Sequence, residues 1–284
     1  MDPYQVLFPI GFVFALVGTI PWILFSVGFG GYPGLKHADW MVGGFLLSFA
    51  MGFLMTAVPR FTGSDTAKKV ELLFGGILSL SLLFFSFIEN RIYFYTCLLT
   101  CFIFLFTFAF KRFRKRLYTP PPSFVFVGIG LLLGISGVFA LLISYLQSNS
   151  GLLFIFGKLI FYQGMMMSFL LGIGSRLIPA FLGWAEFPVI QLQKKLNTKK
   201  QNQFVQSKQF WFLVGIAFIL SFILEAFVEI QIGRILRALI GTLIAVLFWK
   251  IHKKPNSKGY LVFWLWLASI SFILGLWIYG VFPV

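Results

Sequence analysis

Residues 44–63 read GFLLSFAMGFLMTAVPRFTG, and residues 164–183 read GMMMSFLLGIGSRLIPAFLG. The two stretches align without a gap and share seven identities, which are the glycine, serine, phenylalanine and proline residues of a pattern GxxxSFxxG…PxFxG. Each stretch lies late in an apolar run that is long enough to cross a bilayer. Similarity at a fixed spacing indicates an internal repeat. The pattern therefore predicts an all-α fold in which groups of transmembrane helices are duplicated.

The rest of the chain has the same apolar character. Of its 284 residues, 59% are hydrophobic and only 11% are charged, which excludes an ordinary soluble domain. The apolar runs are continuous rather than alternating, so they favour a helix bundle over a closed barrel. Nine spans are predicted, at about 8–28, 40–60, 70–88, 92–110, 123–146, 156–181, 209–229, 233–250 and 260–281.

Basic residues predict the orientation of these spans. The net charge is +15, but lysine and arginine cluster in the loops that follow even-numbered spans, around residues 60–69, 111–116, 194–208 and 250–258. By the positive-inside rule these loops and the N-terminus face the cytoplasm, and the C-terminus is external. The first residues lack the features of a cleaved signal peptide, so the first span is expected to remain. The charge is thus expected to contact lipid headgroups, and no nucleic-acid partner is predicted.

The spacing of the two copies predicts how the chain is divided. The copies fall in the second and sixth spans, and an offset of four helices preserves direction, as in a parallel repeat. We expect one four-helix repeat over residues 1–119 and a second over 120–255, the latter with a polar cytoplasmic loop at about 184–209. Residues 256–284 would be a single helix that opens an incomplete third repeat.

Small residues form a stripe within each copy. A spacing of four places Gly44, Ser48 and Gly52 on one helix face, and the second copy repeats the spacing at Gly164, Ser168 and Gly172. Such stripes let helix backbones approach closely in membranes. They predict helix packing, and the two copies packing against each other would explain them.

Proline and arginine follow each stripe. Pro59 and Pro179 are expected to break or end their helices, with Arg60 and Arg176 beside them. An unwound helix end with a guanidinium group is a candidate anion site, whereas arginines that snorkel to lipid phosphates give the same pattern. Both interpretations remain open.

The turn between spans seven and eight carries opposite charges. Glu225 and Glu229 lie four residues apart near the end of span seven, and Arg234 and Arg237 begin span eight. Ionisable groups at membrane depth are functional candidates, but here the acidic and basic groups are predicted to pair across the turn.

Few residues are candidates for chemistry. The sequence has no recognisable catalytic motif, so no catalytic residue is predicted and an enzymatic function is not favoured. His37 and Met41, one turn apart at the predicted external start of span two, are candidate ligands for haem iron or copper. The two cysteines, Cys97 and Cys101, are four apart in one span and are expected to be buried free thiols.

Three segments resemble the signatures of the NnrS family. They are HADWM at 37–41, GFLMTAVPRFTG at 52–63 and GSRLIPAF at 174–181, with weaker likeness along the rest of the chain. The family comprises polytopic inner-membrane proteins of bacteria that are associated with haem, copper and nitric oxide. Its first signature usually carries a second histidine and a glutamate where this chain has Asp39 and Trp40, and its members usually have about twelve spans.

The resemblance implies a shortened NnrS-like protein of the bacterial inner membrane that binds haem or copper and acts in the response to nitric oxide. Two alternatives remain. Parallel repeats and the arginines at 60 and 176 fit a transporter or channel for small solutes or anions. A non-catalytic scaffold that acts as a homo-oligomer, or with a membrane partner supplying the missing helices, fits the incomplete third repeat.

Overall fold

The computed structural model describes residues 2–88, 90–147, 151–185 and 207–282. Within them it contains nine helices long and apolar enough to cross a membrane, and no strand. This confirms the predicted all-α bundle of a multi-pass membrane protein, whose outer helix faces contact lipid. The helices are α1 (Pro3–Ser26), α2 (Gly34–Thr62), α3 (Lys69–Ser86), α4 (Arg91–Arg114), α5 (Pro122–Leu146), α6 (Leu152–Phe181), α7 (Lys208–Phe227), α8 (Ile230–Trp249) and α9 (Tyr260–Val281).

Side-chain caps mark where several helices begin. The side chain of Asn90 accepts a hydrogen bond from the backbone N–H of Ile92 at 3.0 Å, at the start of α4. Ser207 accepts one from Phe210 at 3.1 Å, at the start of α7. These bonds satisfy N–H groups that a helix leaves without a partner in its first turn.

The helices form two compact units. Unit 1 comprises residues Met1–Thr119 and Gly134–Lys158, and unit 2 comprises Pro120–Leu133 and Leu159–Val284. Helix α5 therefore contributes its first part to unit 2 and the rest to unit 1. The predicted repeats at 1–119, 120–255 and 256–284 concern internal homology, which compactness does not measure, and they stay a prediction. The predicted loop at about 184–209 lies mostly outside the described residues.

Glycines hold α1 close to α2 in unit 1. A Cβ atom added to Gly11 would lie 2.7 Å from Phe49 Cδ2, and one added to Gly44 would overlap the ring of Phe14. A Cβ at Gly52 would lie 3.0 Å from Phe8 Cδ1. Each glycine thus leaves room for an aromatic ring of the facing helix.

The same arrangement occurs between α5 and α6 in unit 2. A Cβ added to Gly130 would lie 2.7 Å from Phe169 Cδ1, one at Gly164 would lie 3.0 Å from Leu133 Cδ1, and one at Gly172 would lie 3.1 Å from the carbonyl oxygen of Ser123. The contact of Gly130 with Phe169 repeats that of Gly11 with Phe49, some 120 residues later. In both units the stripe packs on the preceding helix.

Three helices contain wider π-helical turns, at Asp39–Leu46 in α2, Leu159–Met165 in α6 and Ala245–Trp249 in α8. The first two lie at matching positions of the two copies. Such turns occur often at functional sites, and the first begins two residues after His37.

The ends of α2 and α6 are closed in the same way. Pro59 and Pro179 lie inside their helices, which continue to Thr62 and Phe181. The helices therefore do not end at the prolines. Each proline carbonyl also still accepts a backbone hydrogen bond, Pro59 from the N–H of Ser64 at 3.1 Å and Pro179 from the N–H of Trp184 at 2.8 Å. Glycine with a positive φ follows each helix, with 64° at Gly63 and 78° at Gly183.

Each of these helix ends is also hydrogen-bonded to the loop at the end of its own predicted four-helix repeat. The carbonyl of Thr62 accepts hydrogen bonds from the N–H groups of Leu117 and Tyr118 at 2.8 and 3.0 Å. The carbonyl of Leu182 accepts them from Asn256 and Ser257 at 2.8 and 3.2 Å.

Candidate metal centre

His37 and Met41 both contact Gly18 of α1. The Nδ1 atom of His37 lies 2.8 Å from the carbonyl oxygen of Gly18. A Cβ atom added to Gly18 would lie 3.1 Å from the sulfur of Met41. The short first turn of α2, followed by the π-helical segment, places the two side chains beside the same residue of the neighbouring helix.

The contact with Gly18 indicates which ring nitrogen of His37 is the donor. A carbonyl oxygen can only accept a hydrogen bond, so Nδ1–H donates here, and in the neutral ring Nε2 is then the nitrogen with a free lone pair. A histidine whose Nδ1–H is held by a carbonyl is the arrangement typical of metal ligands. His37 is half-buried, and the ring of Trp22 stands edge-on to it at 5.8 Å.

Asp39 and Trp40, where the chain departs from the family signature, have structural partners. The Asp39 side chain is completely buried and forms an ion pair with Arg91 at 3.5 Å. It also accepts hydrogen bonds from the hydroxyl of Tyr95. The indole of Trp40 donates to the carbonyl of Ser86 at 3.3 Å. Sequence analysis missed this network, although an acid beside an apolar run, with arginine and tyrosine on the next hairpin, was a usable signal.

The thiols of Cys97 and Cys101 are free and buried, as predicted. Within the described parts of the chain, no group of three or more His, Cys, Asp or Glu side chains could hold a metal ion. The candidate ligands that the structure brings together at Gly18 are thus His37 and Met41.

The other predicted groups lie elsewhere. Arg60 is exposed and pairs with Asp2 at 3.4 Å, whereas Arg176 is half-buried in unit 2.

The predicted pairing across the turn between α7 and α8 is confirmed for Glu225, which forms ion pairs with Arg234 and Arg237. Glu229 precedes α8 and is exposed.

Comparison with known proteins gives one match. A search of curated proteins and a search of solved structures each found no similar protein. The family model described as "NnrS protein" matches residues 1–284, the entire chain. This match shows that the chain belongs to the NnrS family, and the nine helices of the described residues that are long and apolar enough to cross a membrane agree with it.

Proposed function

We propose that this member of the NnrS family binds copper or haem iron through His37 and acts in the response to nitric oxide. The observation that carries the proposal is the 2.8 Å contact between Nδ1 of His37 and the carbonyl of Gly18. It supports a ring that presents Nε2 as a ligand and holds it in one orientation. The family resemblance supplies the connection with nitric oxide, haem and copper.

Met41 contacts the same glycine as His37. This favours copper, which both side chains could bind, over haem. Imidazole and thioether groups are good ligands for Cu(I), which accepts few donors. Haem would be held through His37, whereas copper could be held by His37 and Met41 together.

A bound copper ion would supply one-electron redox chemistry and a coordination position for a small ligand. The protein's own part is to orient the imidazole through Gly18 and to keep the sulfur of Met41 beside it. The predicted orientation places this end of α2 at the external face of the membrane.

A single site in each chain is expected. The position that corresponds to His37 in the second copy is Gly157, where an added Cβ would lie 3.1 Å from the carbonyl of Gly137. Gly137 corresponds to Gly18 in the first copy, but Gly157 has no side chain that could bind a metal. The only other histidine, His252, is exposed in a basic loop.

Metal analysis and absorption spectra of detergent-purified protein, supplied with copper and haem, test the proposal. Wild type should bind about one equivalent of copper or show a Soret band. His37→Ala should lose most of this content, and Met41→Leu should weaken copper binding roughly tenfold by removing one ligand of similar volume. His252→Ala is the matched control and should bind like wild type. Equal content in wild type and His37→Ala would refute the proposal.

A further inference from the structure

Five polar side chains form a buried cluster in unit 2, which we name the Glu225 cluster: Glu225, Arg234, Arg237, Tyr279 and Gln163. The carboxylate of Glu225 accepts hydrogen bonds from Arg234 Nε at 3.0 Å, from the Tyr279 hydroxyl at 3.3 Å and from Arg237 Nη2. Gln163 donates to the Tyr279 hydroxyl at 3.2 Å. The cluster joins α6, α7, α8 and α9.

The charges of this cluster do not balance. The exposed fractions of the side chains are 6% for Glu225, 2% for Arg237 and 11% for Arg234. Among the described residues, Glu225 is the only carboxylate that forms an ion pair with either arginine. Two guanidinium groups therefore share one carboxylate, which leaves one positive charge without a counter-charge among the described residues.

The two other buried ion pairs in the described chain are balanced. Asp39 pairs with Arg91, and Glu71 pairs with Arg112, one charge of each sign in each case. An uncompensated charge among largely buried side chains is costly, so the surplus at the Glu225 cluster needs an explanation that these pairs do not.

The donors of Arg234 point to a ligand. Arg237 uses Nη1 on the carbonyl of Ser221 at 3.4 Å, and its planar group covers the ring of Phe222 at 4.3 Å. Arg234 stacks on Tyr279 at 3.9 Å. Its Nε binds Glu225, but among the described residues no acceptor takes a hydrogen bond from its Nη atoms. A guanidinium has five N–H donors, so Arg234 retains several that an anion could use.

We propose that the Glu225 cluster binds a monovalent anion through Arg234 and Arg237. One negative charge neutralises the surplus, and an anionic acceptor forms strong charge-assisted hydrogen bonds with guanidinium groups. The cluster lies where α7 ends and α8 begins, close to the membrane surface. The anion is either a free ion such as chloride or the phosphodiester group of an anionic lipid, which present the same charge.

The thermal unfolding midpoint in lipid-free detergent tests binding of the free ion. Sodium chloride should raise the midpoint of wild type relative to sodium gluconate at equal ionic strength, in a saturable manner. Arg234→Gln, which balances the cluster, should lose this shift. Arg60→Gln makes the same change at an exposed pair and should keep it.

Glu225→Gln separates an anion site from a purely structural ion pair. The change leaves two guanidinium groups without their carboxylate, so chloride should bind roughly tenfold more tightly and restore part of the stability. A structural ion pair alone would give a loss of stability that chloride does not restore. Should these variants fail to fold, equilibrium dialysis of wild type with radiolabelled chloride should still find one saturable site in each chain.

Lipid exchange tests the second source of the anion. If the ligand is a lipid, the shift appears on addition of phosphatidylglycerol but not of chloride, and Arg234→Gln abolishes it. A wild-type midpoint that responds to neither chloride nor phosphatidylglycerol, or a response that Arg234→Gln retains, would overturn the proposal. None of these measurements depends on copper, haem or His37.

Discussion

The hydroxyl of Tyr95 donates to both carboxylate oxygens of Asp39, at 2.9 and 3.1 Å. Arg91 forms an ion pair with the same group at 3.5 Å. Asp39→Asn should therefore destabilise the protein by about 3–5 kcal/mol, because it leaves Arg91 buried without its counter-charge. Tyr95→Phe should cost less, about 1.5–3 kcal/mol, since it removes hydrogen bonds but no charge. Unfolding titrations in detergent measure both, and equal losses would contradict this account.

Gly44 fits against the ring of Phe14, and Gly44→Ala should destabilise unit 1 by about 1–3 kcal/mol through overpacking. Gly128 is the matched control. Like Gly44 it lies in a helix, but it is exposed, and a Cβ there would meet nothing within 4 Å. Gly128→Ala should be neutral or stabilising by up to about 1 kcal/mol, because alanine favours the helix. The thermal unfolding midpoint should therefore be lower in Gly44→Ala than in Gly128→Ala. An unchanged midpoint in Gly44→Ala would show that α1 and α2 can shift to accommodate the added methyl group.

Gly183→Ala should weaken the end of α6. The φ of 78° disfavours any side chain, and a Cβ would lie 2.8 Å from the backbone nitrogen of Ser257. We expect a loss of about 1–2 kcal/mol from the left-handed conformation alone. Gly31→Ala, where φ is not positive and a Cβ meets nothing within 4 Å, is the control. Limited proteolysis of the 250–258 loop should be faster in Gly183→Ala only.

Arg112→Lys tests whether geometry or charge holds α3 to α4. The guanidinium binds both oxygens of Glu71, at 2.9 and 2.6 Å, and donates to the carbonyls of Asp65 and Thr66. Lysine keeps the charge but cannot form the paired bonds. We expect a loss of about 1–3 kcal/mol in detergent unfolding. A lysine variant as stable as wild type would show that the charge alone suffices.

For the part of the chain that the structure describes, the sequence predicted the number and approximate bounds of the membrane helices, because continuous apolar runs of this length have few other outcomes. The resemblance at residues 37–63 and 174–181 identified the family. The matching contacts of Gly11 with Phe49 and of Gly130 with Phe169 support the predicted repeat, which stays a prediction.

Other features were beyond sequence reasoning. Pro59 and Pro179 were expected to break or end their helices. Both lie in the last turn, where each proline carbonyl still accepts a closing hydrogen bond, and a glycine with positive φ follows shortly after. The partners of Asp39 are 52 and 56 residues away, at Arg91 and Tyr95, and hydropathy does not reveal which helices are neighbours. The contact of His37 with Gly18 likewise depends on a backbone carbonyl, which carries no signal in the sequence.

The π-helical segments Asp39–Leu46 and Leu159–Met165 determine where α2 and α6 can lose a residue without a change in the direction of their side chains. A π-helical ring contains one residue more than an α-helical ring. Deleting a single residue from the wide segment can therefore tighten it into ordinary α-helix while both flanking faces keep their directions. The same deletion within Leu47–Thr62 would rotate everything before it by about 100°, turning His37 away from Gly18. Within each helix, one short segment is thus permissive for deletion, and its neighbour is not.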